Sequence, residues 1–376
     1  MKKLLFAVVA ISFTIVGGCR TNSSTAGGEE LNDTLSARTS LLEKLNLIKA
    51  NKQVAIGHHD DPVYGHSWKY EADSSDVKSV TGEYPALFSW DLGMIEMNSD
   101  RNLDGVPFEE IRKYAAAQDE AGGFNTFSWH VRNPATGGDA WDVSDTTVLT
   151  QILAPGALND TIRQWIGRAA DFIGSIKNSK GEAVPVIFRP WHEHTGSWFW
   201  WGKRLSSPEE YKALWHLTRE VFDEKGVDNV VWAYSPGTEP QNVAEYLDRY
   251  PGDDYIDIVG GDTYDHPGPD GKSTYAPKMD KMLAIADSVA TSHNKILALT
   301  ETGFEGIKDP EYFTEALMPV LGKYPVTYVV FWRNAHDKDT HYYVPYPGHP
   351  AAPDFVDFFN LPATLFQGDM NKPINP

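Results

Sequence analysis

The segment VIFRPWHEHTGSWFWWG, Val186 to Gly202, sets one glutamate, Glu193, between His192 and His194 and close in sequence to Trp191, Trp198, Trp200 and Trp201. A carboxyl group among apolar rings holds its proton above the ordinary range, because burial penalises the charged form. A second glutamate, Glu301, closes the run KILALTETG with no comparable aromatic company. One protonated and one ionised carboxyl facing each other are what glycosidic bond cleavage needs: the acid assists the leaving oxygen while the carboxylate attacks the anomeric carbon. Flat indole faces suit the same substrate, since uncharged sugar rings stack on them. The competing structural reading pairs Glu193 with Arg189 or His192, and Glu301 with Arg333, as salt bridges.

The histidines raise the question of a metal. The sequence HEHTG lacks the second histidine four residues on that a helical zinc protease motif requires. On a continuing strand His192 and His194 would share one face and Glu193 the other, which separates the histidines from the acid. The adjacent His58 and His59 are too few for a closed site on their own. The acidic loop NSDRNLDG from Asn98 could hold structural calcium, with a solvated loop the preferred reading. No GxSxG elbow is present. No metal and no cofactor are assigned.

These residues need a scaffold that brings strand ends together. Eight short β-branched or aromatic runs follow one another: VAIGHH from Val54, ALFSWD from Ala86, FNTFSWH from Phe124, VPVIFRPWHE from Val184, NVVWAYSP from Asn229, IDIVGGDTY from Ile256, KILALTETG from Lys295 and VTYVVFWRN from Val326. Helical segments separate them, among them PFEEIRKYAAAQDEAG from Pro107 and SPEEYKALWHLTREVFDEKG, where Ser207 and Glu210 have the spacing of a capping box. Strands apolar on both faces with helices between them belong to a parallel sheet, and eight such units predict a closed (β/α)8 barrel, the TIM barrel, in a single α/β domain over residues 37–376. The runs end in His58 and His59, Trp90 and Asp91, Trp129 and His130, His192 and Glu193, Asp262 and Tyr264, Glu301, and Trp332 and Arg333. In such a barrel the C-terminal strand ends form the active-site face.

The chain has 376 residues and a formal charge of −19, which excludes the basic face that nucleic-acid binding requires. The 12 tryptophans exceed what a core usually needs, in keeping with a sugar ligand. At the N-terminus Lys2 and Lys3 precede an apolar run from Leu4 to Val16, then VGGC ending at Cys19, the only cysteine. The run is too short to span a membrane and reads as a secretory signal over residues 1–19. The VGGC motif resembles the lipobox of bacterial lipoproteins, which implies lipidation of Cys19. A Gly/Ser/Thr-rich flexible tether is expected over residues 20–36.

The motifs RPWHEHTGSWFWWG, GGDTY, LTETG and FWRNA, in this order between about Val54 and Arg333, resemble glycoside hydrolase family 26, best known for β-mannanases. The resemblance implies a retaining mechanism with Glu193 as acid/base and Glu301 as nucleophile. It also implies substrate contacts from His130, His192, Trp198, Asp262, Tyr264, Trp332 and Arg333, with Tyr264 bonded to the nucleophile, Trp332 beneath the sugar at the cleavage point and Arg333 one sugar further out. His192 stands where most families of that clan carry asparagine, which makes it a candidate for mannose selectivity. The expected substrate is a β-1,4-mannan or mannooligosaccharide; a β-1,3-xylan or mixed-linkage β-glucan is the alternative within the family, and a non-catalytic glycan-binding lipoprotein the alternative outside it. A monomer is expected, in the bacterial cell envelope, with no nucleic-acid partner and with membrane contact only through the lipid.

Overall fold

The computed structural model describes residues 36–372, so the signal segment and all of the tether but Ser36 lie outside the described residues. Eight strands form the barrel: β1 Val54–His59, β2 Leu87–Asp91, β3 Phe124–Ser128, β4 Val186–Arg189, β5 Val230–Tyr234, β6 Ile258–Val259 resuming at Asp262–Asp265, β7 Ile296–Phe304 and β8 Val326–Phe331. Each pairs in parallel with the next, and β8 returns to β1 with Ala55 opposite Tyr328 and Gly57 opposite Val330, so the sheet closes. The expected (β/α)8 architecture is therefore present.

Closure gives the strands two apolar faces and two cores. Ala55, Leu87, Phe124, Ile187, Val231, Ile258, Ala298 and Val330 share one cluster, while their sequence neighbours Ile56, Phe88, Phe188, Val230, Val259, Leu297 and Val329 join the larger one. That alternation is the period of two of a strand, with one set facing the barrel axis and the other the surrounding helices. The helix Ala37–Ala50 belongs to the smaller cluster, burying Leu41, Leu45 and Ile48 with it. Its Ser36 N-cap accepts from Thr39 N–H, and Arg38 donates to the carbonyl of Val230 at the start of β5, so this helix covers the N-terminal end of the barrel. Ser36, expected as the last tether residue, is thus already part of the fold.

The helix Phe108–Glu120 begins after Pro107, and Pro208–Glu224 carries the full capping box between Ser207 and Glu210. The capping box satisfies amide groups that a helix start leaves unpaired, whereas Pro107 accepts no side-chain cap bond. The sequence run from Ile256 splits at Gly260 and Gly261. A side chain at Gly260 would lie 2.7 Å from the Ala298 carbonyl, so the break lets the strand pass close to β7 before Asp262 rejoins it.

Candidate active site

The segment after β4 does not continue as a strand. Residues from Pro190 form consecutive turns, and Trp191 and Glu193 adopt left-handed backbone at φ 55° and 52°. Such conformations are uncommon for non-glycine residues and cluster where a site fixes a side chain. Here they send the two histidines apart. The His192 ring meets His130, whereas His194 is buried against Tyr211 at 4.2 Å and Tyr234 at 4.8 Å. The expectation that His192 and His194 share a face is therefore corrected.

The four tryptophans also divide. Trp191, Trp200 and Trp201 are wholly buried, pack edge-to-face on one another, and donate their N–H groups to Thr218, the Val131 carbonyl and the His192 carbonyl. They are the frame that holds the turn rather than sugar platforms. Trp198 alone is exposed, and it donates its N–H to Oε2 of Glu193 at 2.7 Å. Gly196 makes room for this, since a Cβ there would lie 2.2 Å from the Trp198 ring. The Glu193 carboxyl is pushed well above its ordinary range, first by burial and then by the negative charges of Asp262 and Glu301, with the Trp198 bond acting in the opposite sense.

Glu301, in the middle of β7, is surrounded by donors. Tyr264 gives its hydroxyl hydrogen to Oε1 at 2.5 Å, and a guanidinium nitrogen of Arg189 bonds Oε2. The other arm of Arg189 holds Asp262 at 2.6 Å, so the buried guanidinium bridges two carboxylates, from β6 and β7. Arg189 thus pairs with Glu301 and Asp262, not with Glu193, and Arg333 pairs with Asp104 rather than Glu301. Asp262 is buried and also accepts from Ser235 and Thr300; burial raises its carboxyl to about 7 against the opposing pull of Arg189. The site accordingly holds one carboxyl that keeps its proton and another that is fixed by cationic and hydroxyl donors.

The wall beside these glutamates is built from His130, His192, Trp332 and Arg333. His130 Nδ1 bonds the Asp91 carboxylate at 2.7 Å, and its Nε2 lies 3.2 Å from His192 Nε2. Burial lowers the His192 pKa well below its usual value and alone would lower that of His130, but the Asp91 charge reverses this and raises His130. Trp332 is half-buried and stacks on His59 at 4.3 Å. Arg333 follows it, paired to Asp104 at 3.1 Å. His130, His192, Glu193, Trp198, Trp332 and Arg333 follow the ends of β3, β4 and β8, while Asp262 and Tyr264 lie in the second segment of β6 and Glu301 within β7.

Two contributors were not singled out in sequence. Asp91, visible as a polar strand end, orients His130. Trp141, in the long connection after β3, is 47% exposed and stacks on His130 at 5.2 Å, and no local sequence signal marks it. Among the described residues, the side chains that could offer ligand atoms to a cation within a small volume are His59, Asp60 and Asp104, behind Trp332 and Arg333.

Residues 32–340 match the model of glycosyl hydrolase family 26. A solved GH26 β-mannanase from Bacteroides ovatus is 49% identical, superposes with a TM-score of 0.86, and shares 90% of this chain and 97% of its own. An endo-β-1,4-mannanase from Cellulomonas fimi is 31% identical with a TM-score of 0.78, over 89% of this chain and 76% of its own. Among relatives without a described structure here, a mannan endo-1,4-β-mannosidase of Bifidobacterium adolescentis is 30% identical along all of this chain, which spans 41% of that longer protein. One from Bacillus subtilis is 27% identical over 72% of each.

Proposed function

Because the chain belongs to glycosyl hydrolase family 26, we propose that it hydrolyses β-1,4-mannosidic linkages in mannans, galactomannans and mannooligosaccharides with retention of configuration. The observation that carries this reading is the unequal setting of two glutamates in one barrel mouth: Glu193 kept protonated by burial and negative neighbours, Glu301 held by Arg189 and Tyr264. In the first step Glu193 protonates the glycosidic oxygen as Glu301 attacks the anomeric carbon, releasing the shortened chain and leaving a glycosyl ester on Glu301. In the second, the Glu193 carboxylate takes a proton from water, the water oxygen attacks the same carbon, and the ester breaks. Two displacements on one carbon restore the starting configuration.

The remaining residues act by position. Arg189 and Tyr264 bond the two carboxylate oxygens of Glu301 and fix its rotamer, and Asp262 holds Arg189 in turn. Trp332 offers the sugar at the cleavage point a ring face, Arg333 contacts the next sugar, His130 and His192 address its hydroxyls, and Trp198 lines the leaving-group side. The relatives named above are mannan-degrading, which favours mannan over xylan or glucan. The protein is further proposed to be a monomer anchored in the cell envelope through lipidated Cys19; among the described residues no helix is long and apolar enough to cross a membrane.

Product analysis on β-mannan, β-1,3-xylan and mixed-linkage β-glucan tests the reading. Release of mannooligosaccharides, initially as the β-anomer, is expected. Preferential release from either of the other polymers refutes the substrate, and an initial α-anomer refutes the mechanism.

A further inference from the structure

Behind the sugar-binding wall, three side chains each commit one polar atom to a neighbour and leave another without a partner. His59 Nδ1 meets Ser89 Oγ at 2.9 Å, Asp60 Oδ2 accepts from the Tyr64 hydroxyl at 2.6 Å, and Asp104 Oδ1 faces Arg333 Nε at 3.1 Å. The remaining atoms, His59 Nε2, Asp60 Oδ1 and Asp104 Oδ2, are buried and have no hydrogen-bond partner among the described residues. The three side chains bring ligand atoms within 4.8 Å of one another. Buried polar atoms are almost always satisfied, so three orphans in one cluster point to an occupant.

Charge narrows what that occupant is. Asp104 pairs with the Arg333 guanidinium, and Asp60 reaches the same guanidinium only through the Tyr64 hydroxyl, which donates to Asp60 and accepts from Arg333. The His59 ring is wholly buried. With Nδ1 donating to Ser89, Nε2 is an acceptor 3.6 Å from Asp60 Oδ2; the opposite tautomer turns an N–H toward Asp60 but still leaves Asp60 Oδ1 and Asp104 Oδ2 without a partner among the described residues. A water molecule can satisfy one acceptor with each hydrogen, but it brings no charge.

We propose that His59, Asp60 and Asp104 form a binding site for one divalent transition-metal ion of the zinc type. One imidazole nitrogen and two carboxylate oxygens match the donor set of such ions, whereas calcium takes six to eight oxygens. The outer partners are those of a working metal site: a hydroxyl orients the imidazole, a phenol one carboxylate and a guanidinium the other. The Asp104 side chain, 6% exposed, is the member of the three nearest to solvent. The ion takes no part in bond breaking. Through the His59 stack on Trp332 and the Asp104 pair with Arg333, it fixes the two residues that receive sugar.

The test uses the full chain stripped with a chelator and dialysed. Calorimetric titration with zinc chloride is expected to give one saturable site per chain, and zinc at about a hundredfold over Kd to raise the melting temperature by a few degrees. Cobalt(II) should occupy the same site and give a visible d–d absorption that zinc abolishes. Asp104→Asn keeps the side-chain volume and should weaken zinc by more than about tenfold; Ser89→Ala, which only frees the His59 ring, should weaken it about 10–100-fold. Folding of both variants is checked by their melting in the absence of metal, so an unfolded Asp104→Asn leaves the decision with Ser89→Ala. Less than one zinc per chain, or unchanged affinity in the folded variants, overturns the site. Stoichiometric binding of calcium in preference to zinc overturns the assigned metal class.

Discussion

The indole N–H of Trp198 and the carboxyl of Glu193 meet at 2.7 Å across a backbone that has no side chain at Gly196. A donor to the carboxylate favours its charged form, so this bond restrains a pKa that burial and the charges of Asp262 and Glu301 drive upward. Glu193 must carry a proton to act on substrate, and activity falls as pH rises through its pKa. Trp198→Phe should therefore move the basic limb of kcat/KM to higher pH, by about one unit for a charge-assisted bond. Asp262→Asn removes a negative neighbour and should move it to lower pH. Measured profiles that shift in the same direction would contradict this account.

The two glutamates should fail differently. Glu301→Ala should abolish turnover of every substrate, because no covalent intermediate can form. Glu193→Ala should slow mannan cleavage by roughly the 10²–10⁴-fold that general acid catalysis supplies, while an aryl mannoside with an acidic phenol still reacts in its first step and accumulates the intermediate. Added azide should then rescue the aryl substrate and give the β-mannosyl azide. An α-azide product, read by NMR, would exclude the covalent route.

His192 touches His130, and on the proposed reading it contacts the sugar at the cleavage point. Its replacement by Asn is expected to lower kcat/KM on mannan more than on β-glucan, since the axial 2-hydroxyl of mannose lies where this ring is expected to reach. Equal losses on both polymers would remove His192 from sugar selection.

Leu45 is completely buried in the cluster that closes the lower end of the barrel. Leu45→Ala should cost about 2–5 kcal/mol of unfolding free energy. KM should stay unchanged at temperatures where the variant is folded. Denaturant melts and steady-state kinetics on the same preparation separate the two effects; a raised KM would show that the base of the barrel communicates with its mouth.

Cys19→Ser should move the protein from the membrane fraction to the soluble one, because stable anchoring depends on acyl chains. Fractionation with high-salt washing tests this, and a variant that stays with the membrane refutes lipidation at Cys19.

Much of this arrangement was legible in sequence because a barrel turns a one-dimensional pattern into a place. Eight apolar runs with polar or aromatic ends suffice to gather Glu193, Glu301, His130 and Trp332 at one face, whatever the loops do. Periodicity stopped being informative at Arg189, where β4 ends. Beyond it, two left-handed residues, Trp191 and Glu193, separate His192 from His194 and put three of four tryptophans inside, a reversal that alternation cannot express. The competing salt-bridge reading fails for a related reason. Arg189 and Glu301 are 112 residues apart, and proximity in sequence suggested Glu193 as the arginine's partner instead. Trp141 shows the remaining limit: its exposure beside His130 depends on the path of a long loop, held by side-chain bonds such as Thr136 to Asp142 that have no periodic signature.

The helix Ala37–Ala50 lies across the end of the barrel where the strands begin, and its first residues touch the start of β5. The glutamates lie at the opposite pole. The described chain therefore starts at the end of the barrel opposite the two glutamates. On the proposed reading, a glycan in the cleft meets only the strand ends and the loops that follow them, and the helix Ala37–Ala50 stays out of its path.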